Sequence, residues 1–330
     1  MNEQDHYQRT LMQDADRGNP IARNLLIHGW LGAGNTSAVD SWLKDHKGGA
    51  QHLDTVLFEA ELSCFHGWVG EAHWSESLRH CAGKGHKQAR FIVSLYEKWA
   101  KLQGLGATTD ALTATWSSPP WREVAAQDGL AVYQCLDFAP HTLLAFIRNS
   151  LGRALRPSAV VDPDTGAAVR HPVRINSAAQ WFPEQLGWAG KLLEQRMGLT
   201  ANYDPRCGEV FSLLHYTPGE RYKAHYDCLP SEQAHSPQGM AQGGQRTLTV
   251  LLTLGDQGFE GGATAFPRLG IDVHTPPGAL LRFNNTDDNG QPLRSSLHEG
   301  QPVTRGEKWL LSKWVREQHT PYGAELNPIG

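Results

Sequence analysis

The chain has 330 residues, of which 40% are hydrophobic and 19% charged, and its 30 Lys+Arg against 34 Asp+Glu leave a net charge of −4. That length suits about two domains of roughly 150 residues, and the composition excludes a largely disordered chain. The slight acidity offers no general grip on nucleic acid phosphates, no apolar run reaches the length of a membrane span, and five cysteines without any Cys-x-x-Cys argue against a disulfide scaffold or a Cys-based zinc site.

The polar start, MNEQDHYQRT, lacks the apolar stretch of a signal peptide, so the expected location is the cytoplasm. Residues 1–105 are rich in Ala, Leu and charged side chains and read as helices separated by Gly. Within them ADRGNPIARNLL (15–26) echoes AGKGHKQARFIV (82–93), aligning Gly18 with Gly85, Ala22 with Ala89 and Arg23 with Arg90 at a separation of 67 residues. That is close to two helical hairpins of about 34 residues each, with KGGAQHLDTVLF (47–58) as a degenerate middle copy. Small residues at fixed offsets let the helices of a hairpin pack closely. The region resembles the Sel1-like branch of the tetratricopeptide repeats; a small helical bundle with chance similarity is the alternative. Residues 106–125 are assigned to a linker, since GLGATTDALTATWSSPPW (104–121) is rich in Gly, Thr, Ser and Pro and lacks helical period.

Residues 126–330 form the expected second domain. LDFAPHTLLAFIRNSLGRAL (136–155) contains an amphipathic helix with Leu143, Leu144, Phe146, Ile147 and Leu151 on or near one face. Asp162 to Gly166 reads as a turn. After Gly208 the signals become those of strands: FSLLHYT (211–217), RTLTVLLTL (246–254), GIDVH (270–274), GALLRFN (278–284) and EKWLLSKWV (307–315), each bounded by Gly, Pro or Asn-Asp clusters. RTLTVLLTL alternates at first and then turns wholly apolar, as a strand buried on both faces does. Many short strands with Gly-Gly and Pro-Gly punctuation predict a jelly roll, so the fold class is α+β, an α-helical repeat domain followed by a jelly-roll domain.

The segment HYTPGERYKAHYDCLP (215–230) carries the chemistry. His225 and Asp227 are two apart, so on a strand both side chains project to one face. A neutral imidazole and a carboxylate there form two-thirds of a 2-His-1-carboxylate facial triad, which holds Fe(II) on one side and leaves the opposite positions open. The third ligand should be a distant His. His298, in RSSLHEGQPV, fits at 71 residues after Asp227, and Lys308 follows ten residues later. 2-Oxoglutarate would chelate the metal through its C1 carboxylate and keto oxygen, O2 would take the last position, and the far C5 carboxylate needs a fixed cation, the role assigned to Lys308. A His-x-Asp pair alone is weak in a chain with 16 His, most of which belong at the surface or in core hydrogen bonds. The ordered combination, each member in its own strand context, is far more specific.

Residues from about 130 to 318 resemble the prolyl 4-hydroxylase-type 2-oxoglutarate/Fe(II) dioxygenases. The resemblance extends over RPSAVVDPDTGAAVRHPVRINSA (156–178), GEVFSLLHYTPGERYKAHYD (208–227), GQRTLTVLLTL (244–254), GGATAFPRLG (261–270), PPGALLRF (276–283) and EKWLLSKWVRE (307–317), in the family's order. It implies a double-stranded β-helix, iron on His225, Asp227 and His298, 2-oxoglutarate on Lys308, cosubstrate contacts from Tyr216 and Thr249, and ascorbate as a reductant. The alternative for Tyr216 and Thr249 is that they only pack in the barrel. The sequence departs from the animal collagen enzymes in reading Ser-Leu-His at 296–298 where they carry an Arg before the His, which puts a collagen-like substrate in doubt. Asp227 is present, which disfavours the halogenases that lack this carboxylate.

Other residues weigh less. CLPSEQAHSPQGMAQGGQ (228–245) is a long aperiodic stretch read as a substrate-covering loop, with disorder as the alternative. His235 within it reads as solvated, and Cys228 as cavity wall, because an oxygenase needs no thiol nucleophile. Trp309 and Trp314 read as core. Arg294 and Arg246 are candidates for the substrate side, or equally for surface ion pairs. The expected function is hydroxylation of a prolyl residue in a protein or peptide, with release of succinate and CO2. Hydroxylation of a free amino acid or cyclic imino acid is the alternative among enzymes. A non-catalytic scaffold acting through the repeats is the alternative from another class; a repeat domain offers a groove for a protein partner. Neither nucleic acid nor membrane is an expected partner.

Overall fold

The computed structural model describes residues 3–48, 52–68, 72–106, 110–114, 116–158, 160–161, 168–169, 174–182, 185, 187–255 and 258–326. The expected turn at Asp162–Gly166 lies outside them. Two compact units emerge, one of residues 1–115, 182–195 and 324–330, the other of residues 116–181 and 196–323. Among the described residues no helix is long and apolar enough to cross a membrane.

The first unit is helical: α1 (Glu3–Asp16), α2 (Pro20–Gly32), α3 (Thr36–His46), α4 (His52–His66), α5 (Trp74–Gly83) and α6 (Lys87–Leu102). Three of its turns share one chemistry. Gly18, Gly34 and Gly85 have φ of 87°, 69° and 90°, the left-handed state that ends a helix and that glycine enters without a Cβ penalty. Their N–H groups return to the carbonyls of Ala15, Leu31 and Ala82. The N–H of each following residue, Asn19, Asn35 and His86, reaches back to Asp14, Trp30 and Cys81. Those same three residues then cap the next helix, Asn19 accepting from Ile21 and Ala22, Asn35 from Ala38, and His86 from Ala89. The recurrence fits an array of helical hairpins; the finer Sel1-like assignment rests on the motif alone.

The apolar interior of this unit is built on Ile27, Leu31, Val39, Trp42, Phe58 and Leu62. Residues 182–195, which the sequence reading puts in the second domain, group instead with the helices. Within that stretch Trp188 packs against Phe65, and Lys191 enters a buried polar cluster. Its ammonium lies 2.8 Å from Glu61, 3.0 Å from His66 Nε2 and 3.5 Å from His28 Nε2. Three acceptors meet the three donors of one ammonium, so both imidazoles present Nε2 lone pairs and are neutral. Burial and the neighbouring Lys191 bring His28 down to about 3, and the same two causes, with His28 added, push His66 down as well.

The second unit carries the strands. In chain order they are β1 (Arg122–Gln127), β2 (Leu130–Cys135), β3 (Arg156–Pro157), β4 (Val160–Val161), β5 (Ala168–Val169), β6 (Arg174–Ile175), β7 (Ser177–Trp181), β8 (Phe211–Tyr216) and β9 (Arg221–His225). There follow β10 (Arg246–Thr253), β11 (Glu260–Gly261), β12 (Thr264–Phe266), β13 (Ile271–Val273), β14 (Leu280–Asn284), β15 (His298–Gly300), β16 (Val303–Arg305) and β17 (Lys308–Arg316). An eight-stranded sheet runs β1-β2-β14-β10-β17-β8-β7-β3 and a five-stranded sheet runs β13-β12-β15-β9-β6, with two-stranded ribbons β11-β16 and β4-β5 beside them. Leu214, Leu251, Leu281, Phe283 and Leu310 from the larger sheet and Phe266 and Val273 from the smaller share one core. This is the double-stranded β-helix. β10 and β17, both paired on two sides, are almost wholly buried, as the apolar run in RTLTVLLTL predicts. β1 and β2 have no counterpart among the expected strands.

The cluster around Lys191 makes the helical unit acid-sensitive. His28 and His66 stay neutral when folded but ionise in the unfolded chain near the ordinary 6.5. Stability is therefore complete above about pH 6.5 and is lost as the pH falls toward 3, where the unfolded chain binds more protons. Thermal unfolding midpoints measured at pH 7 and pH 4.5 should show that drop, and His28→Gln should shrink it; an equal drop in the variant would mean the cluster does not set it.

Candidate metal and cosubstrate site

His225 closes β9 and His298 opens β15, and the two are direct antiparallel partners. Directly opposed residues on one face stand side by side, so the ladder sets the two imidazoles together, with ring centroids 4.3 Å apart. Tyr222 stacks on His225 at 3.5 Å, while Phe283 packs against His298 at 4.7 Å. Asp227 lies just past the end of β9 rather than on the strand. Its side chain nonetheless joins the pair, and one ligand atom from each of the three residues lies within 4.8 Å of the others.

The hydrogen bonds around this group orient it for a cation. His225 Nδ1 bonds the Lys223 carbonyl at 2.8 Å and His298 Nδ1 bonds the Ser296 carbonyl at 2.9 Å. A carbonyl only accepts, so each Nδ1 carries a proton and each Nε2 is the ring atom left to face a ligand. Those two Nε2 atoms sit 3.6 and 3.5 Å from the Asp227 oxygens, beyond a good hydrogen bond. Asp227 Oδ2 accepts from the Thr249 hydroxyl at 2.7 Å, and that hydroxyl in turn accepts from Asn285 Nδ2 at 2.9 Å. Burial alone would raise Asp227, but His298, His225 and the Thr249 hydroxyl outweigh it and hold the carboxyl well below the usual range. Burial, only partly opposed by Asp227, lowers His298. One ring nitrogen from each imidazole and a carboxylate held ionised beside them form the nitrogen and oxygen donor set that suits Fe(II).

Lys308 opens β17 and pairs across the ladder with Tyr216 on β8. Its Nζ donates to the Gly262 carbonyl and lies 5.7 Å from the centre of the Tyr216 ring. The side chain is buried, and burial pushes it down to about 8. Among the described residues no carboxylate stands within ion-pair distance, which leaves a buried cation suited to an anionic ligand. A cavity of about 40 Å³ touches His225, Asp227, His298, Tyr216, Lys308 and Trp314. A larger one of about 480 Å³ shares Lys308, Leu251, Thr264 and Leu310 with it, so Lys308 stands in the wall between them.

The remaining candidates divide. Thr249 donates its hydroxyl to Asp227 and accepts from Asn285, so among the described residues it stands as a partner that holds Asp227. Trp314, read from sequence as core, lines the smaller cavity, and its buried Nε1 has no acceptor among the described residues. Arg246 is taken by Glu209 through two bonds of 2.6 and 2.9 Å and lies 4.0 Å over Trp314; it is an ion-pair partner. Arg294 is exposed, and its carbonyl accepts from Tyr226. Burial and the Asp227 charge raise Cys228, which stays protonated. The stretch from Cys228 to Gln245 carries short helices at Ser231–Ala234 and Pro237–Ala241, and His235 within it faces Glu317 at 3.6 Å. A second group, Asp204, Cys207 and His319, also has ligand atoms within 4.8 Å, but Arg206 already grips both Asp204 oxygens.

Residues 211–316 match the family model described as the 2OG-Fe(II) oxygenase superfamily. Over 259 residues the chain is 31% identical to prolyl 4-hydroxylase 1 of Arabidopsis thaliana, covering 74% of this chain and 85% of that protein. The chain belongs to the 2OG-Fe(II) oxygenase superfamily, among its prolyl 4-hydroxylase-type members. A second relative, prolyl 4-hydroxylase 13 of Arabidopsis thaliana, is 32% identical over 141 residues, 38% of this chain and 49% of its own length. A solved structure, the 2OG complex of the viral collagen prolyl hydroxylase of Paramecium Bursaria Chlorella virus-1, aligns with TM-score 0.43 and 21% identity, over 56% of this chain and 94% of that one. This oxygenase is accordingly a dioxygenase that uses Fe(II) and 2-oxoglutarate.

The Asn285–Thr249–Asp227 chain gives a direct test. Removing the hydroxyl in Thr249→Val should weaken Co(II) or anaerobic Fe(II) binding by about 10- to 100-fold, the usual effect of losing a partner that orients a ligand. Thr249→Ser should retain most of the affinity. Unchanged metal affinity in the valine variant would remove Thr249 from the site.

Proposed function

We propose that this oxygenase hydroxylates a prolyl residue in a protein or peptide chain, coupling the reaction to conversion of 2-oxoglutarate into succinate and CO2. The observation that carries the reading is the clustering of His225, Asp227 and His298 beside a buried Lys308 that has no described carboxylate partner. His225 Nε2, His298 Nε2 and the Asp227 carboxylate would hold Fe(II). When bound, the metal and 2-oxoglutarate together supply the activation of O2 needed to break an unactivated C–H bond, one oxygen atom entering the product alcohol and the other succinate.

The chain's own residues orient and enclose. Lys308 would receive the far carboxylate of 2-oxoglutarate in a setting where water does not compete for it. The Trp314 indole N–H, buried on the same cavity, offers a further donor, and Tyr216 completes the wall. Tyr222, Phe266 and Phe283 hold the two imidazoles and keep water from them. The prolyl target is supported by the relatives, which are themselves named prolyl 4-hydroxylases. Ascorbate belongs to the proposal as the reductant, and the helical unit as the region that engages a protein partner.

Anaerobic titration with Fe(II) and 2-oxoglutarate should produce a visible charge-transfer band that Asp227→Ala loses. Succinate release should then be stimulated by prolyl peptides; stimulation by free proline or another cyclic imino acid, and not by peptides, would move the reading to amino acid hydroxylation. A folded, iron-loaded protein without the band would overturn the oxygenase reading.

The anchor role has its own signature. Replacing Lys308 by Ala should raise the 2-oxoglutarate requirement about 10- to 100-fold, the range of a charge-assisted hydrogen bond worth roughly 1.5–3 kcal/mol. Because burial lowers Lys308 to about 8, the wild-type requirement should also climb as the pH is taken from 7 to 9 and the ammonium is lost. In Lys308→Ala it should be high throughout, and a normal requirement there would show the anchor to be elsewhere.

A further inference from the structure

The helical unit contains a cavity of about 340 Å³ whose lining includes Arg17, Arg23, Asp54, Phe58, Glu61 and Gln88. Ligand pockets are commonly of this size, with a few convergent polar groups over apolar walls. The internal repeat shows that Arg23 is not placed there by default. Arg90, its counterpart, donates Nε to the Ala82 carbonyl at 3.0 Å, the same carbonyl that closes the Gly85 turn. In the first copy the Ala15 carbonyl closes the equivalent Gly18 turn, yet Arg23 does not bond it. Instead the Arg23 guanidinium lies 4.1 Å over the Phe58 ring, and its buried Nε has no hydrogen-bond partner.

Burial lowers Arg23 while the charges of Glu61 and Asp54 oppose that shift, but neither carboxylate stands within ion-pair distance of it among the described residues. Glu61 pairs with Lys191. Asp54 accepts from His86 Nε2 at 2.9 Å. Because His86 Nδ1 accepts the Ala89 N–H, Nε2 must carry the ring proton, so this partner is a neutral donor and leaves Asp54 its charge. The Asp54 side chain is 58% exposed. Arg17 is spent on an exposed pair with Asp14. Two opposite charges thus open on the cavity, Arg23 at the level of Phe58 and Asp54 one helical turn away on α4, neither neutralised by contact with the other. An anion alone or a cation alone would leave one of them facing a like charge or nothing.

We propose that this cavity binds a free α-amino acid, its carboxylate on Arg23, its ammonium on Asp54 and an apolar side chain against Phe58 and Leu57. Leu57 and Phe58 are apolar members of the cavity's lining. Either end of a peptide would present only one of the two charges.

The test is calorimetric titration of the full chain, without metal or 2-oxoglutarate, with L-leucine, L-methionine and L-phenylalanine in turn. At least one should bind saturably. Its N-acetyl and carboxamide forms, each lacking one charge, should bind at least about tenfold more weakly. Arg23→Gln and Asp54→Asn should each cause a loss of similar size while the thermal midpoint holds, and Arg90→Gln should leave binding intact. Three outcomes would overturn the proposal: equal binding by a capped form, binding that survives both cavity variants, or no saturable binding of any of the three up to about 10 mM.

Discussion

The pairing of β9 with β15 is the constraint on which the catalytic unit depends. Opposing His225 to His298 across that ladder brings together two residues far apart in the chain. The backbone also chooses their tautomers, since the carbonyls of Lys223 and Ser296 each fix a proton on Nδ1. A slip of one residue would turn one imidazole to the opposite face of the sheet, leaving Asp227 buried without its partners. The aromatic rings packed on both histidines serve the register as much as the chemistry, because they fill the space only in this alignment.

Around that ladder the larger sheet supplies the groups that hold Asp227 and face the cavity opposite it. Thr249 on β10 reaches Asp227, Lys308 on β17 opens into the same cavity, and both strands are flanked on each side by others. Burial on two faces makes these strands rigid, and it also makes a lysine there expensive unless an anion accompanies it. The His225–Asp227–His298 cluster and the ammonium of Lys308 are thus held at fixed places on one cavity, a pattern that suits a cosubstrate with its far carboxylate on Lys308.

Much of this was legible in the order of residue types. His225, Asp227, His298 and Lys308 announce themselves because their chemistry is scarce and their order is specific, although only Lys308 sits on an apolar run; β9 and β15, which bring the two histidines together, are short and polar. Less legible was whatever depends on which strand lies beside which. Thr249 in RTLTVLLTL looks like any alternating threonine; its function follows from lying opposite Phe283, next to Asn285, in the β10–β14 register. Lys191 and Glu61 meet only through folding over more than a hundred residues. REVAAQ in β1 has the composition of a helix and becomes a strand by pairing with β2, a case of tertiary context overriding local preference. Trp314 looked like core because an indole on a buried strand is usually that; only the unmatched N–H shows otherwise.

The segment after the metal strand carries a further consequence. Gln245 receives the Leu229 N–H on its side-chain oxygen and donates its amide to the Leu229 carbonyl, closing both ends of the segment to one another across sixteen residues. A side chain mimics a ladder rung there, so the two strands leaving this clasp keep their positions. Closed at its base between Asp227 on one flank and Thr249 on the other, the intervening stretch is tied again at its C-terminal end to the end of β17, where Arg316 donates to the Gly244 carbonyl and the Gln318 N–H to that of Gly243.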